Sequence, residues 1–242
     1  MSGLFAIWRR ELSALFFGPL AWTLLCLALL LDGRLFVGEL AASSGDVDVA
    51  TRYAFVVSFY IAILAAPLVT MRMISEESRA GLLEYLLTAP VTDAAVVTGK
   101  FLAATSFFAI LSAAVFVYGG VLAAQGLAPD PGTLVAGWLG LVLASALFCA
   151  IGTFASALTS TPMVAAFSAV LLDLALVLAP QLARLSPAPW VQRLGARFDL
   201  TDHLSSSFLL GAVDTARVVF FLAWTGLFLF LAVRAVEGRR WR

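Results

Sequence analysis

The chain has 242 residues, of which 62% are hydrophobic and only 12% are charged, and its mean hydropathy is +1.01. These values lie far from those of soluble globular domains and predict an integral membrane protein with several spans. The formal net charge is zero, so nothing in the composition indicates a nucleic-acid partner. Cys26 and Cys149 both lie in apolar segments, which excludes a disulfide framework and a cysteine metal cluster.

An amphipathic helix is predicted over residues 2–17. Apolar and polar side chains fall on different faces of this helix, Leu4, Trp8, Leu12 and Leu15 on one and Arg9, Arg10 and Ser13 on another. Basic residues on the polar face and tryptophan on the other are typical of a helix that lies in the membrane interface. Gly18 and Pro19 interrupt the pattern, so we expect an interfacial elbow and not an extension of the first span.

Six segments are long and apolar enough to cross a bilayer, which takes about 20 residues: 19–38, 53–72, 95–123, 133–158, 163–183 and 215–236. Asp32 and Arg34 are expected at or beyond the interface at the far end of the first span. A turn over residues 159–162 is expected to separate the fourth and fifth spans. An even number of spans places both termini on one side. Lys and Arg are modestly enriched there, which predicts cytoplasmic termini.

The charged segment 72–100 lies between the second and third spans. Ser75 can cap a helix whose first turn contains Glu76 and Glu77, where the helix dipole favours acids. An apolar stripe at helical spacing follows, formed by Leu82, Leu83, Leu86 and Leu87. A short charged helix of this kind is suited to dock onto a soluble partner, although a membrane-lying helix in a solvated loop fits the same pattern.

This helix is expected to stop at Pro90, because the residue before a proline is pushed out of the α region. Thr92 or Asp93 is expected to cap the helix of the third span.

The largest polar segment on the predicted outer side is residues 184–214, called here the outer loop. Two short surface helices are predicted in it, over 190–198 and 202–210, with Gly211 ending the second and Asp214 capping the last span. Four of its side chains are expected to point toward lipid: Phe198, Leu204, Phe208 and Leu209. The loop could form an outer gate or a docking surface, or it could be an ordinary ordered connection.

Two features lie inside the predicted spans. Asp173 follows Pro162 by 11 residues, which is roughly 16 Å of helix, and therefore lies near the bilayer centre. An ionisable group at that depth points to a water-filled cavity or a conduction path, whereas a hydrogen-bonded aspartate between helices would be structural only. Gly140 and Ala144 are small residues four apart, which allows close approach of helices at an interface.

Motifs for catalysis are absent from the sequence. The chain has no P-loop, and Gly99 and Lys100 are followed by Phe101 in place of a hydroxyl residue. The single histidine, His203, lies in the outer loop and cannot build a zinc site alone. We therefore expect no enzymatic activity from this chain.

Several motifs along nearly the whole chain carry a family resemblance. The main ones are Thr70, Arg72, Ile74, Glu76 and Glu77, then Gly81, Leu83, Glu84, Leu86 and Leu87, then Pro90, Val91, Thr92 and Asp93 with Gly99 and Lys100. Further matches are Gly152–Thr159, Asp202, His203, Gly211, Asp214, Arg234, Glu237, Arg239, Arg240 and Trp241. In these residues the chain resembles the permease subunits of ABC-2 type transporters. It is closest to the compact six-span permeases of the gliding-motility type and more loosely similar to those of copper-enzyme maturation systems. The family often has threonine directly after the motif glycine, where this chain has Leu82.

The resemblance implies an all-α integral membrane protein with one transmembrane permease domain over residues 1–242. Its parts are the elbow helix 1–18, five spans within 19–183 with a coupling helix at 75–90, the outer loop 184–214, and the sixth span with a basic tail at 215–242. The resemblance assigns ATPase coupling to Arg72, Glu76, Glu77, Arg79, Gly81, Glu84 and Pro90. It assigns the interfacial elbow to Trp8, Arg9 and Arg10.

The implied partners are a cytoplasmic P-loop ATPase subunit, a second permease copy (identical or related), membrane lipid and an extracytoplasmic accessory protein. ATP and Mg would bind to the ATPase subunit, and this chain would bind no cofactor. The implied function is ATP-driven export, or work on an extracytoplasmic partner, at the bacterial cytoplasmic membrane. The cargo stays open.

Two other functions fit the residues. A self-contained channel or ion-coupled carrier could use Asp173, although such proteins usually contain more charges or broken helices inside the membrane. A membrane anchor without cargo would depend on the outer loop instead. The charged, helix-forming segment between the second and third spans favours the transporter subunit.

Overall fold

The structure is a computed structural model that describes residues 2–79 and 92–239, and within these ranges the chain forms only helices and turns. Six helices are long and apolar enough to span a membrane. In chain order the spans are Pro19–Ala42, Val47–Thr70, Asp93–Ser112 continued by Ala114–Ala124, Pro131–Leu158, Pro162–Arg184 and Thr215–Arg239. The shorter elements are Ser2–Phe17, Ser75–Arg79, Pro189–Phe198, Leu200–Ser205 and a 3-10 turn at Phe208–Leu210. The predicted fold class is confirmed.

Local side chains fix where four of the six spans begin. Asp46 accepts bonds from the backbone at the start of the second span, and Asp130 accepts one from Thr133 N at 2.8 Å at the start of the fourth. Thr92 caps the third span by accepting from Ala95 N, which decides between the two candidates at that position. Asp214 accepts from the backbone at the start of the sixth span, as predicted. The predicted turn at 159–162 is also present.

The first span differs from the prediction. Its helix continues to Ala42, so Asp32 lies near the middle of the helix and not at its far end, and only 6% of its surface is exposed. Ser58 of the second span donates a hydrogen bond to Asp32 Oδ2 at 2.5 Å, which gives the carboxylate a partner inside the protein. Arg34 is exposed on the same helix.

The fourth span is the centre of the bundle and packs against the second, third, fifth and sixth spans. Small residues let bulky rings approach its backbone. A Cβ atom at Gly137 would lie 2.5 Å from the ring of Phe55, and one at Gly140 would lie 2.6 Å from the ring of Phe208. Gly140 therefore does serve a close approach, but the group that fills the space beside it comes from the outer loop of the same chain.

The outer loop is more closely packed than the sequence predicts. The first predicted helix is present as Pro189–Phe198, whereas the second ends at Ser205 and a separate 3-10 turn follows, so a single helix over 202–210 is wrong. Gly211 ends this turn with φ +78°, a conformation that favours glycine. Of the four side chains expected to face lipid, Leu204, Phe208 and Leu209 are buried in the core. Leu204 and Phe208 fill the space that the fourth span offers beside Gly140.

Candidate coupling site

The short helix Ser75–Arg79 follows the second span through a turn that the fourth span holds in place. The hydroxyl of Ser156, fully buried, accepts hydrogen bonds from Ile74 N at 3.2 Å and Ser75 N at 3.1 Å. The same hydroxyl donates to Met71 O at 3.0 Å. One side chain thus satisfies three backbone groups of the turn, groups that would be costly to bury unpaired.

Thr70 and Gly152 make a second contact beside this turn. Gly152 lies four residues before Ser156 and hence on the same face of the fourth span. A Cβ atom at Gly152 would lie 2.0 Å from Thr70 Oγ1, so only glycine leaves room for the end of the second span. The short helix therefore starts from a fixed seat, formed by Gly152 and Ser156.

The predicted capping role of Ser75 at the start of the short helix is wrong. Ser75 is the first residue of the helix, and its hydroxyl bonds back to Met71 O instead of capping the turn ahead of it. Sequence reasoning missed the role of Ser156 because the two serines are 81 residues apart. Local sequence cannot reveal a cap from that distance.

Four charged side chains form what we call the ion cluster: Arg10, Glu11, Glu77 and Lys100. Lys100 Nζ lies 3.0 Å from Glu11 Oε1 and 2.8 Å from Glu77 Oε1. Arg10 Nη2 lies 2.6 Å and 3.3 Å from the same two oxygens. The cluster therefore joins the N-terminal helix, the short helix and the start of the third span.

Lys100 is the buried centre of the cluster, with 1% of its side chain exposed. A buried ammonium is strongly unfavourable unless it is paired, which both glutamates achieve here. Burial acts to raise the pKa of Glu11, but Lys100 and Arg10 outweigh it, so the pKa of Glu11 is lowered. The hydrogen bond to Glu11 raises the pKa of Arg10. The cluster thus pairs two basic side chains with two acidic ones.

Arg10 and Glu77 belong to the predicted site residues, whereas Glu11 was missed and Lys100 was singled out only as part of the family motif. The sequence does contain a feature that marks Glu11 and Lys100 as a possible pair. Glu11 is the only acid in the N-terminal helix, and Lys100 is a lone charge followed by a long apolar run. Opposite lone charges in two helices suggest a pair, but the sequence does not say that the helices touch.

The N-terminal helix is packed along the third span. Ile7 fills the space beside Gly99, where an added Cβ atom would lie 2.9 Å from Ile7 Cγ2. Trp8 Nε1 donates to Ser106 Oγ at 3.0 Å, so this indole binds protein. Arg9 is exposed. The structure thus has a helix over Ser2–Phe17 and a break at Gly18, and it attaches that helix to the third span.

A cleft of about 580 Å³ opens between the N-terminal helix, the first two spans and the short helix. Its apolar wall includes Leu15, Leu20, Val69 and Met73, and its charged rim includes Glu11, Arg72, Glu76, Glu77 and Lys100. At the rim, Arg72 Nε pairs with Glu76 Oε1 at 3.1 Å, and both side chains are at least half exposed. Arg79, at the end of the short helix, is also exposed. These three charges are available to a partner.

The remaining predicted residues lie elsewhere. Gly81, Glu84 and Pro90, with the leucine stripe between them, lie outside the described residues. Asp173 is fully buried in the fifth span, and neither of its carboxylate oxygens has a hydrogen-bond partner among the residues that the structure describes. Over the same ranges no cluster of His, Cys, Asp and Glu could hold a metal ion.

Comparison with known protein families identifies a family that this chain matches. A family model described as "ABC-2 family transporter protein" matches residues 39–186, which is more than half of the chain. No curated protein matches the chain. The matched segment runs from the end of the first span to the end of the fifth, and it contains the seat and Lys100.

Proposed function

This chain belongs to the ABC-2 transporter family, and we propose that it couples ATP hydrolysis on a separate cytoplasmic ATPase subunit to export. Family membership makes the chain the multi-pass membrane component of an ABC transporter, which is not itself catalytic. The proposal concerns the energy coupling and the residues that carry it.

The observation that carries this proposal is the way in which the short helix Ser75–Arg79 is attached. The seat at Gly152 and Ser156 fixes its start to the fourth span, and the ion cluster fixes Glu77 to the third span and to the N-terminal helix. A partner that displaces the short helix must therefore displace three other segments with it. A helix attached in this way transmits force, whereas a solvated loop would absorb it.

Exposed charges at the same place support docking. Arg72, Glu76 and Arg79 are exposed, and charge complementarity across an interface favours correct pairing and fast association. Gly81, Glu84 and Pro90 complete the proposed coupling segment, residues 75–90, outside the described residues. ATP and Mg would bind to the ATPase subunit.

The proposed complex contains two permease copies, identical or related, and two ATPase subunits. We place it in the bacterial cytoplasmic membrane with both termini in the cytoplasm and residues 1–242 as one permease domain. The N-terminal helix would lie at the membrane interface as an elbow, with Trp8, Arg9 and Arg10 on it. The gliding-motility type is the proposed subtype, and an extracytoplasmic accessory protein would meet the outer loop.

Asp173 is proposed to line the translocation path between the permease copies. A carboxylate in the middle of a span is strongly unfavourable in lipid, and both of its oxygens lack partners in the described part of the chain. A conformational change that exposes Asp173 to cargo during transport would explain why such a group is kept.

The coupling proposal is tested by purifying the tagged chain in mild detergent after co-expression with its candidate ATPase subunit, followed by ATPase and transport assays. Glu76→Lys reverses an exposed charge that has an arginine partner in its own chain. Glu237→Lys is the matched control, since Glu237 is a partly exposed acid that pairs with Arg234 at 2.9 Å. We expect Glu76→Lys, and likewise Glu84→Lys, to lose ATPase association or to separate hydrolysis from transport, while Glu237→Lys behaves as wild type.

Purification without any ATPase, or normal transport by both Glu76→Lys and Glu84→Lys, would refute the coupling assignment. In the first case, a channel or ion-coupled carrier that uses Asp173 would be the function to test next, followed by a membrane anchor.

A further inference from the structure

A second polar site lies inside the bundle, well away from the coupling segment. Asp32 is 13 residues into the first span, which corresponds to roughly 20 Å of helix. One of its oxygens accepts the bond from Ser58, but Oδ1 is buried and has no hydrogen-bond partner within residues 2–79 and 92–239. An unsatisfied carboxylate oxygen at this depth points to a ligand.

Asp32 lines a small internal cavity of about 10 Å³. Four polar side chains from four different segments meet there: Asp32, Ser58, Ser112 and Ser145. Apolar side chains, among them Phe108 and Leu141, form the rest of the wall. Such a volume fits one particle of the size of a water molecule or a dehydrated alkali ion.

The hydroxyl groups around this cavity present oxygen lone pairs to it. Ser58 donates its proton to Asp32 Oδ2, and Ser112 donates its proton to Ala109 O at 3.1 Å. Both hydroxyl oxygens are therefore left with lone pairs that can accept, and both serines line the same cavity as Asp32. A single water has only two protons to donate, whereas a cation can be bound by all of these oxygens at once.

The charge of Asp32 also needs a partner. Among the described residues, no Lys, Arg or His lines the cavity. A water molecule would leave the buried negative charge uncompensated, and a divalent cation would require six or more oxygens and a second carboxylate. A monovalent cation satisfies both the charge and the oxygen ligands.

We propose that Asp32, Ser58, Ser112 and Ser145 form an intramembrane site for one dehydrated alkali cation, Na⁺ or K⁺. The cation would hold the first, second, third and fourth spans together at their meeting point. This site goes beyond the coupling function and does not depend on it.

Binding is tested by thermal unfolding of the purified chain in lipid nanodiscs, without ATPase, in NaCl, KCl or choline chloride at equal ionic strength. A ligand that binds only the folded state raises the midpoint, and a tenfold excess over its Kd corresponds to roughly 2–5 °C. We expect a saturable rise with Na⁺ or K⁺ over choline, and the stronger of the two identifies the ion.

Asp32→Asn keeps the shape of the side chain and removes its charge, so it should abolish the response. Glu39→Gln is the matched control, since it also replaces a carboxylate of the first span by an amide but does not line the cavity, and it should keep the response. Ser145→Ala should shift the saturation to higher salt, and the control Ser168→Ala, on a half-buried position of the fifth span that does not line the cavity, should not.

Equal midpoints in all three salts, or an unchanged response in Asp32→Asn, would overturn the site. Should Asp32→Asn fail to fold, Ser145→Ala decides, because an unchanged saturation in that variant overturns the proposal as well. These results involve no ATPase, so a failure here leaves the coupling proposal intact.

Discussion

Lys100 gives the sharpest test of the ion cluster, and Lys100→Met is the change to make. The substitution keeps a long apolar side chain but leaves Glu11 and Glu77 without their buried cation. Two charge-assisted bonds are lost, each contributing about 1.5–3 kcal/mol, and the ammonium no longer has to be buried, which offsets part of the loss. Arg10 still reaches both glutamates, although its side chain is 55% exposed and solvent weakens its effect.

We therefore expect Lys100→Met to lower the free energy of unfolding by about 2–3 kcal/mol. The measurement is reversible unfolding in mixed micelles, with Arg34→Met as the control because Arg34 is a span cation on an exposed position. A double-mutant cycle with Glu77→Gln should give a coupling energy of about 1–3 kcal/mol. A loss below about 0.5 kcal/mol, or a cycle that is additive, would refute the view that the cluster holds these segments together.

Three further changes test other parts of the structure. The folded pKa of Glu11 is lowered, so the stability that its ionised form contributes is complete above the ordinary pKa of 4.5 and is lost as the pH falls through the folded pKa. Glu11→Gln should remove this loss of stability at acid pH in a pH series of unfolding curves. A variant with the same pH dependence as the wild type would contradict the role of Glu11. Gly152→Ala should destabilise the fold by about 1–3 kcal/mol in unfolding assays, because the new methyl group meets Thr70. The control Gly226→Ala has open space around it and should be close to neutral. Equal effects of the two substitutions would argue against the seat. Asp173→Asn should abolish transport while the complex still assembles on size exclusion, and normal transport would exclude Asp173 from the path.

The six spans could be predicted because their information is local. Each span is an apolar run of sufficient length, and four of the six begin at a capping side chain, as at Thr92 and Asp214. The short helix after the second span was also foreseeable from its charges. Its actual extent beyond Arg79 lies outside the described residues.

The remaining features depend on residues that are distant in sequence. Asp32 reads as an interfacial charge until Ser58, 26 residues later, is seen to donate to it. Leu204 and Phe208 read as lipid-facing until the fourth span is seen to leave space for them. In both cases periodicity and composition describe one helix at a time, whereas the environment of a side chain is set by the helix against which it packs.

The fourth span carries two attachments that have been described separately, Phe208 beside Gly140 and the turn after the second span at Ser156. Sixteen residues separate the two positions, which is roughly 24 Å of unbroken helix. The outer loop and the start of the short helix therefore pack on one continuous helix, the first about a third of the way along it and the second at its end. A tilt or rotation of this helix therefore moves both attachments together. The fourth span thus couples the outer loop mechanically to the short helix on the opposite side of the bundle.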